Sequence, residues 1–223
     1  MKNYLAEIVG TFILVAFGTG VVVVDQQTDA EVTLVGIALV WGLVVYAIIS
    51  AIGDVSGAHV NPSVTVTLWA SGRFPGAQVA PYIVCQLIGA VLGSVMVRVL
   101  FPDADSLGGT APSGGLMQSF LAEVLLTFLL LFVVLNVSEG AKEKGITAGI
   151  AIGGVITLEV LFGGPISGAS MNPARSFGPA LVGGDWTAYW IYVAGPILGG
   201  LLAAPLAILL RSDNKPEKPS TES

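Results

Sequence analysis

The chain has 223 residues, of which 54% are hydrophobic and 11% are charged, and its formal net charge at pH 7 is −6. A soluble domain carries about 25% charged residues, so this composition excludes an ordinary water-soluble protein. A net charge of −6 is not typical of a nucleic-acid-binding protein, and we expect no nucleic-acid partner.

Six apolar runs are long enough to cross a bilayer, for which about 20 residues suffice. In chain order they cover residues 4–24, 32–53, 78–100, 117–138, 146–162 and 187–210. The first run lacks the basic segment and the cleavage site of a secretory signal peptide, so we expect it to remain as a span. The sequence therefore predicts an integral membrane protein with helical spans.

Two similar polar stretches interrupt this apolar sequence. SGAHVNPSVT (residues 56–65) follows the second run, and SGASMNPARS (residues 167–176) follows the fifth. An apolar stretch continues from each proline, over residues 62–70 and 173–182, and proline suits the first position of a helix. Helices of this length rise roughly 14 Å, half of a bilayer core of roughly 30 Å. We therefore predict two half-helices that reach the membrane midplane.

The two halves of the chain repeat. LAEIVGTF (residues 5–12) opens one half and LAEVLLTF (residues 121–128) opens the other, and each half holds three spans. Because each half has an odd number of spans, the second half enters the membrane from the opposite side to the first. This arrangement is an inverted repeat. The fold class is an all-α membrane protein with six transmembrane helices and two re-entrant half-helices. We predict a single channel domain (1–211) that consists of two repeats (about 1–100 and 117–211). A disordered cytoplasmic tail (212–223) follows it.

Asn61 and Asn172 stand where the two half-helices begin, and the inverted repeat brings these ends together at the midplane. Each helix N-terminus carries about half a positive charge, and each asparagine adds amide donors. A neutral solute can accept these hydrogen bonds, whereas a cation or a proton meets a repulsive field. Non-helical backbone is tolerated at this depth where it lines a watery cavity, so the adjoining loops are expected to offer carbonyl acceptors. A single Asn-Pro pair would indicate a turn, but two at equivalent places favour a pore.

Basic residues predict the orientation. Seven of them fall on one side of a six-span chain, which is therefore expected to be cytoplasmic: Lys2, Arg73, Lys142, Lys144, Arg211, Lys215 and Lys218. The opposite loops, residues 25–31 and 101–115, contain no Lys or Arg. Both termini are then cytoplasmic. Arg98 and Arg175 are exceptions, and Arg98 is expected to extend its charged end to the membrane surface.

These motifs resemble the aquaporin, or major intrinsic protein, superfamily over nearly the whole chain apart from the tail. The resemblance implies a homotetramer with one pore in each subunit, surrounded by membrane lipid. It also makes the two asparagines a pair at the middle of the pore. The two motifs are Asn61-Pro62-Ser63 and Asn172-Pro173-Ala174. The first departs from the usual Asn-Pro-Ala by one hydroxyl, from which we expect a minor effect.

The resemblance also implies a selectivity filter near the outer end of the pore. Its four positions are Trp41, Val160, Ala169 and Arg175. Water-specific members carry a histidine at the place of Val160, and glycerol facilitators usually carry Asp at the place of Ser176. This set is similar to that of the nodulin-type intrinsic proteins of plants and their prokaryotic relatives. Such proteins pass water modestly and glycerol, and some pass ammonia, lactic acid or uncharged metalloid acids such as arsenous acid.

The side chains of this filter suit a polyol. Trp41 offers an apolar face to carbon–hydrogen groups, and Arg175 offers donors to hydroxyls. Val160 and Ala169 make the opening wider and less polar than a water filter. The alternative is that Trp41 belongs to the aromatic belt at the membrane surface.

Four further polar residues fall within or beside the spans. Glu7 and Glu123 occupy equivalent places, where structural carboxylates are favoured over a proton relay. His59, which the family places along the pore near the cytoplasmic side, is either a neutral hydrogen-bonding residue or a pH gate. Glu159 is either a hydrogen-bonded or interface-facing carboxylate, or it offsets the charge of Arg175.

The sequence thus predicts a passive channel for small uncharged solutes that excludes ions and protons. The expected solutes are water and glycerol, with metalloid acids as a further candidate class. The alternatives are a strictly water-selective channel, a solute-coupled secondary transporter, an intramembrane enzyme and a non-conducting junction protein. We expect no catalytic residue, cofactor or metal. The expected location is the plasma or inner membrane of a prokaryotic cell.

Overall fold

The computed structural model describes residues 1–137 and 142–210, with side chains omitted for 142–146. The predicted disordered tail (212–223) lies outside the described residues, as do the side chains of Lys142 and Lys144 and the residues Arg211, Lys215 and Lys218. The described part contains eight helices and no strand, which confirms the all-α fold class. They are α1 (Lys2–Gln27), α2 (Thr33–Ser56), α3 (Pro62–Ala70), α4 (Gly76–Leu100), α5 (Leu116–Val137), α6 (Lys142–Ser167), α7 (Pro173–Gly183) and α8 (Ile191–Leu209).

Six of these helices are long and apolar enough to cross a membrane: α1, α2, α4, α5, α6 and α8. The other two, α3 and α7, are the short helices that begin at Pro62 and Pro173. Each has an asparagine as its N-cap residue and proline at its first position, the arrangement that the two Asn-Pro motifs predict.

The predicted bounds differ most from the structure in the fifth span, at both ends, and in the sixth, at its start. Helix α6 runs from Lys142 to Ser167, whereas the predicted run covered residues 146–162. In a bilayer there is no water to pair with free backbone groups, so the helix continues until the next loop provides partners. Helix α8 begins at Ile191 and not at residue 187, because Ala188 has a φ of 57° and interrupts the helical run.

The helix contacts repeat between the two halves of the chain. Helix α1 packs on α4 as α5 packs on α8, and α1 packs on α2 as α5 packs on α6. The short helices exchange partners, since α3 contacts α8 of the other half while α7 contacts α4. Helix α2 also contacts α6, and α3 contacts α7, so each of these pairs joins equivalent helices of the two halves. This pattern is the one expected when two equivalent halves face each other across a central axis.

Small residues let the spanning helices approach closely. A Cβ added to Gly93 of α4 would lie 2.9 Å from the carbonyl oxygen of Phe12 on α1. A Cβ on Gly199 of α8 would meet the carbonyl oxygen of Val124 on α5 in the same way. Membrane helices associate through such small-residue contacts, because lipid supplies no hydrophobic drive between them.

Candidate functional site

The loop before α3 is held by a buried carboxylate on α1. Oε1 of Glu7 accepts hydrogen bonds from the Ser56 hydroxyl (2.8 Å) and from the backbone N–H of His59 (2.9 Å). Oε2 accepts from the backbone N–H of Val60 and from Nε2 of Gln86, both at 2.8 Å. Every partner is a donor, so the geometry is that of an ionised carboxylate with its acceptor sites in use.

Glu123 holds the loop before α7 in the same way. Oε1 accepts from the Ser167 hydroxyl (2.7 Å) and the backbone N–H of Ser170 (2.8 Å), and Oε2 accepts from the N–H of Met171 (2.7 Å). Both glutamates are fully buried. This arrangement favours a structural role over a proton relay for both carboxylates.

The two loops have an unusual backbone that these carboxylates support. Ala58 and Val60 have φ values of 48° and 43°, and Ala169 and Met171 have values of 43° and 54°. These positions correspond, since 169 − 58 and 171 − 60 both equal 111, the separation of the two asparagines (172 − 61). A left-handed conformation costs of order 1–3 kcal/mol in such residues and persists only where surrounding contacts hold it. Charge-assisted hydrogen bonds to Glu7 and Glu123 provide those contacts.

Each asparagine caps its own half-helix. Oδ1 of Asn61 accepts from the backbone N–H of Ser63 at 2.8 Å. Oδ1 of Asn172 accepts from the N–H groups of Ala174 (3.0 Å) and Arg175 (3.2 Å). The side-chain oxygens are therefore used by the helices, and the amide nitrogens are directed elsewhere.

The amide nitrogens bond across the centre of the molecule. Nδ2 of Asn61 donates to the carbonyl of Met171, and Nδ2 of Asn172 donates to the carbonyl of Val60, both at 2.9 Å. Each amide has two N–H groups, so one on each asparagine is left over. Both side chains line the central cavity, where the remaining N–H groups can serve a solute.

A cavity of about 390 Å³ passes through this centre. It runs from Trp41 and Arg175 at the predicted outer end to Asp54 and Arg73 at the predicted inner end. Its wall is mainly apolar and includes Leu14, Val45, Ile49, Val64, Leu68, Leu130, Val134, Ile152 and Ile156. His59, Ser170 and the asparagine pair supply polar groups along it. A mainly apolar wall with few placed polar groups is typical of small-molecule sites.

The four predicted filter residues lie together in the wall of this cavity. Trp41, Val160, Ala169 and Arg175 are all buried within the chain and line the same space. The alternative that Trp41 belongs to the surface aromatic belt is wrong, because its side chain is only 7% exposed. Gly18 on α1 makes room for it, since a Cβ there would collide with the indole ring.

The loop between α4 and α5 holds the Arg175 side chain. Nη1 of Arg175 donates to the carbonyl of Gly108 at 3.0 Å, and its Nε has no hydrogen-bond partner among the described residues. Arg98 fixes part of the same loop, because its Nη1 donates to the carbonyls of Pro102 (3.2 Å) and Ala104 (2.9 Å). Arg98 thus binds carbonyls of the loop that follows α4, and its extension to the membrane surface stays a prediction.

Glu159 is not part of this arrangement. Its side chain is fully buried, which rules out an interface-facing carboxylate, and neither oxygen has a hydrogen-bond partner in the described part of the chain. The backbone of Leu130 lies beside it, outside hydrogen-bonding geometry. No hydrogen bond joins Glu159 to Arg175 among the described residues, and Glu159 does not line the central cavity. The structure therefore gives no contact through which it would offset the arginine charge.

The segment between α7 and α8 anchors the start of α7 from outside the spans. The Tyr189 hydroxyl donates to the carbonyl of Pro173 at 3.2 Å, and burial raises the pKa of Tyr189 to about 12. The phenol therefore stays a donor at ordinary pH. Nearby, the backbone N–H of Thr187 donates to Asp185 at 2.9 Å, and this hydrogen bond lowers the pKa of the Asp185 carboxyl.

Sequence reasoning missed the residues that support the site from a distance. Gly108 gave no signal beyond its place in a glycine-containing loop. Gln86 and Thr65 connect Glu7 to His59 by hydrogen bonds. Gln86 could have been found from the sequence, because it is a strongly polar side chain inside an apolar run. Such a residue needs a buried hydrogen-bond partner.

Comparison with known proteins gives matches over nearly the whole chain. The profile described as "Major intrinsic protein" matches residues 1–206. The chain is 43% identical over 224 residues to aquaporin NIP1-1 of Zea mays, covering 100% of this chain and 79% of that protein. It is 41% identical to nodulin-26 of Glycine max, covering 100% and 83%. The X-ray structure of the aquaglyceroporin from Plasmodium falciparum matches the fold with a TM-score of 0.81 at 24% identity, covering 93% of this chain and 98% of that one.

Proposed function

The chain belongs to the major intrinsic protein family, and from this premise we propose that the cavity between Trp41 and Asp54 is the path by which solutes cross the membrane. The protein is a channel for water and small solutes such as glycerol. The family is a class of channels and not of enzymes. The resemblance to nodulin-type proteins is confirmed, since relatives of that type, such as nodulin-26, share 41% of aligned residues with this chain.

The proposed range of solutes is inferred from the residues of the predicted outer filter. The guanidinium of Arg175 packs on the Trp41 ring, and both side chains line the same section of the cavity as Val160 and Ala169. A polyol has an apolar face of carbon–hydrogen groups and an opposite face of hydroxyls. The apolar side chains of Trp41, Val160 and Ala169 suit the first face, and the guanidinium donors of Arg175 suit the second. We therefore place glycerol, and uncharged metalloid acids of similar size and hydroxyl content, among the solutes.

Exclusion of ions follows from the middle of the pore. Two helix N-termini meet there, and each carries about half a positive charge. The asparagines that cap them present only N–H donors to the cavity, so a cation finds no acceptor from their side chains. A proton moving along a water chain meets the same positive field.

The buried carboxylates argue against a coupled transporter. Glu7 and Glu123 are turned towards the loop backbone and their oxygens are occupied. Neither belongs to the cavity wall. A transporter that couples solute to protons or sodium needs an accessible site for the ion, and these two groups do not provide one.

The competing function is a strictly water-selective channel, and flux measurements separate the two. The protein is reconstituted in liposomes, and stopped-flow light scattering follows shrinkage in an impermeant solute and then re-swelling in glycerol. Empty liposomes are the control. We expect both fast shrinkage and fast re-swelling. Fast shrinkage without glycerol entry would establish the water-selective alternative and refute the filter assignment.

We extend the proposal to assembly and orientation. The chain is expected to form a homotetramer with one pore in each subunit, in the plasma or inner membrane, with both termini cytoplasmic. The distribution of basic residues supports this orientation, since Lys2 and Arg73 lie on the predicted inner side. Light scattering of the detergent-solubilised protein tests the mass, and protease access to sealed vesicles tests the orientation.

A further inference from the structure

A chain of buried hydrogen bonds runs from Glu7 to the only histidine of the protein. Nε2 of Gln86 donates to Oε2 of Glu7 (2.8 Å) and to Oγ1 of Thr65 (2.9 Å). Oγ1 of Thr65 lies 3.1 Å from Nδ1 of His59 and 3.1 Å from the carbonyl oxygen of Asn61. Glu7, Gln86 and Thr65 are fully inaccessible to solvent.

The orientation of the Gln86 amide follows from Glu7. The Glu7 carboxylate already accepts from two backbone N–H groups and from a hydroxyl, so it needs a donor from Gln86. A flipped amide would place two acceptors against each other. Nε2 must therefore face Glu7, and its second N–H points to Thr65.

The single hydroxyl hydrogen of Thr65 then decides the state of His59. Oγ1 of Thr65 has three contacts: it accepts from Gln86, and its own hydrogen goes to the Asn61 carbonyl. The third contact is a hydrogen bond only if Nδ1 of His59 carries the hydrogen. We infer that the Gln86–Thr65 pair fixes His59 as the Nδ1-protonated tautomer, which presents the lone pair of Nε2 to the pore.

The surroundings of the ring keep that nitrogen available. His59 lines the cavity, and its ring is held between Phe74 and Tyr82 at centroid distances of 4.6 Å and 5.1 Å. A Cβ on Gly57, whose φ is 85°, would lie 3.1 Å from Nε2. Glycine at that position leaves the lone pair uncovered. The ring is neutral, since a buried cation beside the N-terminus of α3 would be repelled by the helix dipole.

This tautomer restricts which solutes can pass through the cavity, and this step of the inference rests on the proposed function. A passing molecule must donate a hydrogen bond at His59 and accept one at the asparagine pair. Water, polyols and ammonia can do both. A neutral molecule that only accepts, such as dimethyl sulfoxide, has no partner at His59. Thr65 and Gln86 are positioning residues that do not touch the solute, because neither lines the cavity.

The tautomer can be observed directly, because the chain contains one histidine. The full chain, labelled with ¹⁵N-histidine and embedded in lipid bilayers, is studied by NMR at neutral pH. We expect a protonated Nδ1 and an unprotonated Nε2. A signal from protonated Nε2 in the unmodified protein overturns the inference, and this result does not depend on any variant or on whether glycerol is conducted.

Variants of α3 test the cause. Thr65→Val keeps the side-chain shape and removes the acceptor, so the proton is expected to move to Nε2, and Thr65→Ser is expected to restore Nδ1 protonation. Thr67→Val is the matched control, because Thr67 is also buried on α3 but its hydroxyl has no partner among the described residues. An Nδ1-protonated ring in Thr65→Val would show that Thr65 does not set the tautomer.

A flux ratio tests the consequence for the solute. In Thr65→Val the ratio of dimethyl sulfoxide flux to glycerol flux is expected to rise roughly fivefold, the factor for one hydrogen bond of about 1 kcal/mol. Thr67→Val and Thr65→Ser are expected to leave it unchanged. An equal ratio in Thr65→Val and Thr67→Val overturns the selectivity role, even where the NMR result stands.

Discussion

The guanidinium carbon of Arg175 lies 4.8 Å from the centroid of the Trp41 ring. Such a contact contributes about 0.5–2 kcal/mol, and the Gly108 carbonyl adds one hydrogen bond. No carboxylate in the described residues forms a direct ion pair with the guanidinium, which remains a positive group in the cavity wall. The pair therefore places an aromatic side chain, guanidinium N–H donors and a positive charge in one section of the cavity wall.

Gly18 should be essential for the position of Trp41. A Cβ on Gly18 would lie 2.7 Å from Cε3 of the Trp41 ring and still closer to two other ring carbons. Gly18→Ala should displace the indole, lower stability by about 1–3 kcal/mol and reduce glycerol flux. Gly20→Ala is the control, because its Cβ would meet Val97 at an ordinary 3.7 Å. Thermal unfolding and liposome flux are compared, and equal behaviour of the two variants would show that Gly18 does not position the ring.

Glu123→Gln should destabilise the loop before α7. Either orientation of the new amide places an NH₂ group against a backbone N–H, of Ser170 or of Met171, that now donates to the carboxylate. Hydrogen bonds to charged groups are worth about 1.5–3 kcal/mol, so a loss of about that size is expected in unfolding measurements. A variant as stable as the unmodified protein would refute the structural role.

Glu159→Gln should have the opposite outcome. The Glu159 oxygens have no partner in the described residues, so replacing the carboxylate removes a buried acidic group and breaks no hydrogen bond. We expect stability to be unchanged or higher, with water and glycerol fluxes unchanged. Altered solute selectivity in this variant would instead support an electrostatic influence on Arg175.

The departure from Asn-Pro-Ala at Ser63 should cost stability. The Ser63 side chain is fully buried and its hydroxyl has no partner among the described residues. Because an unpaired buried hydroxyl costs about 1–3 kcal/mol, Ser63→Ala should raise the unfolding temperature. Ser176→Ala is the contrasting variant, since the Ser176 hydroxyl bonds to Thr110 (2.8 Å) and Ser170 (2.6 Å) and its loss should lower that temperature. Destabilisation by Ser63→Ala would mean that the hydroxyl has a partner, such as water.

Local sequence signals predicted the parts of the pore that depend on local chemistry. The Asn-Pro pairs place the starts of α3 and α7 at Pro62 and Pro173, because capping and the fixed φ of proline act over a few residues. Family resemblance supplied Trp41 and Val160, whose positions depend on counting along helices without bulges.

The remaining features depend on contacts between distant parts of the chain. The Gly108 carbonyl reaches Arg175 from a loop 67 residues away, and Gln86 reaches Glu7 across 79 residues. No periodicity or motif encodes such pairings. The interruption before α8 arises from one left-handed residue, Ala188, whose side chain does not favour that conformation.

The most direct test of the central claim is the ratio of glycerol to water permeability in liposomes containing the unmodified protein and Val160→His. The added ring would narrow the filter beside Trp41 and Arg175 and add a polar group, and a small change of fit at such a site is worth about tenfold or more. We predict that the ratio falls at least about tenfold, mainly through lost glycerol flux, while Val160→Ile has a weaker effect. An unchanged ratio in Val160→His would contradict the assignment of this section of the cavity as the filter.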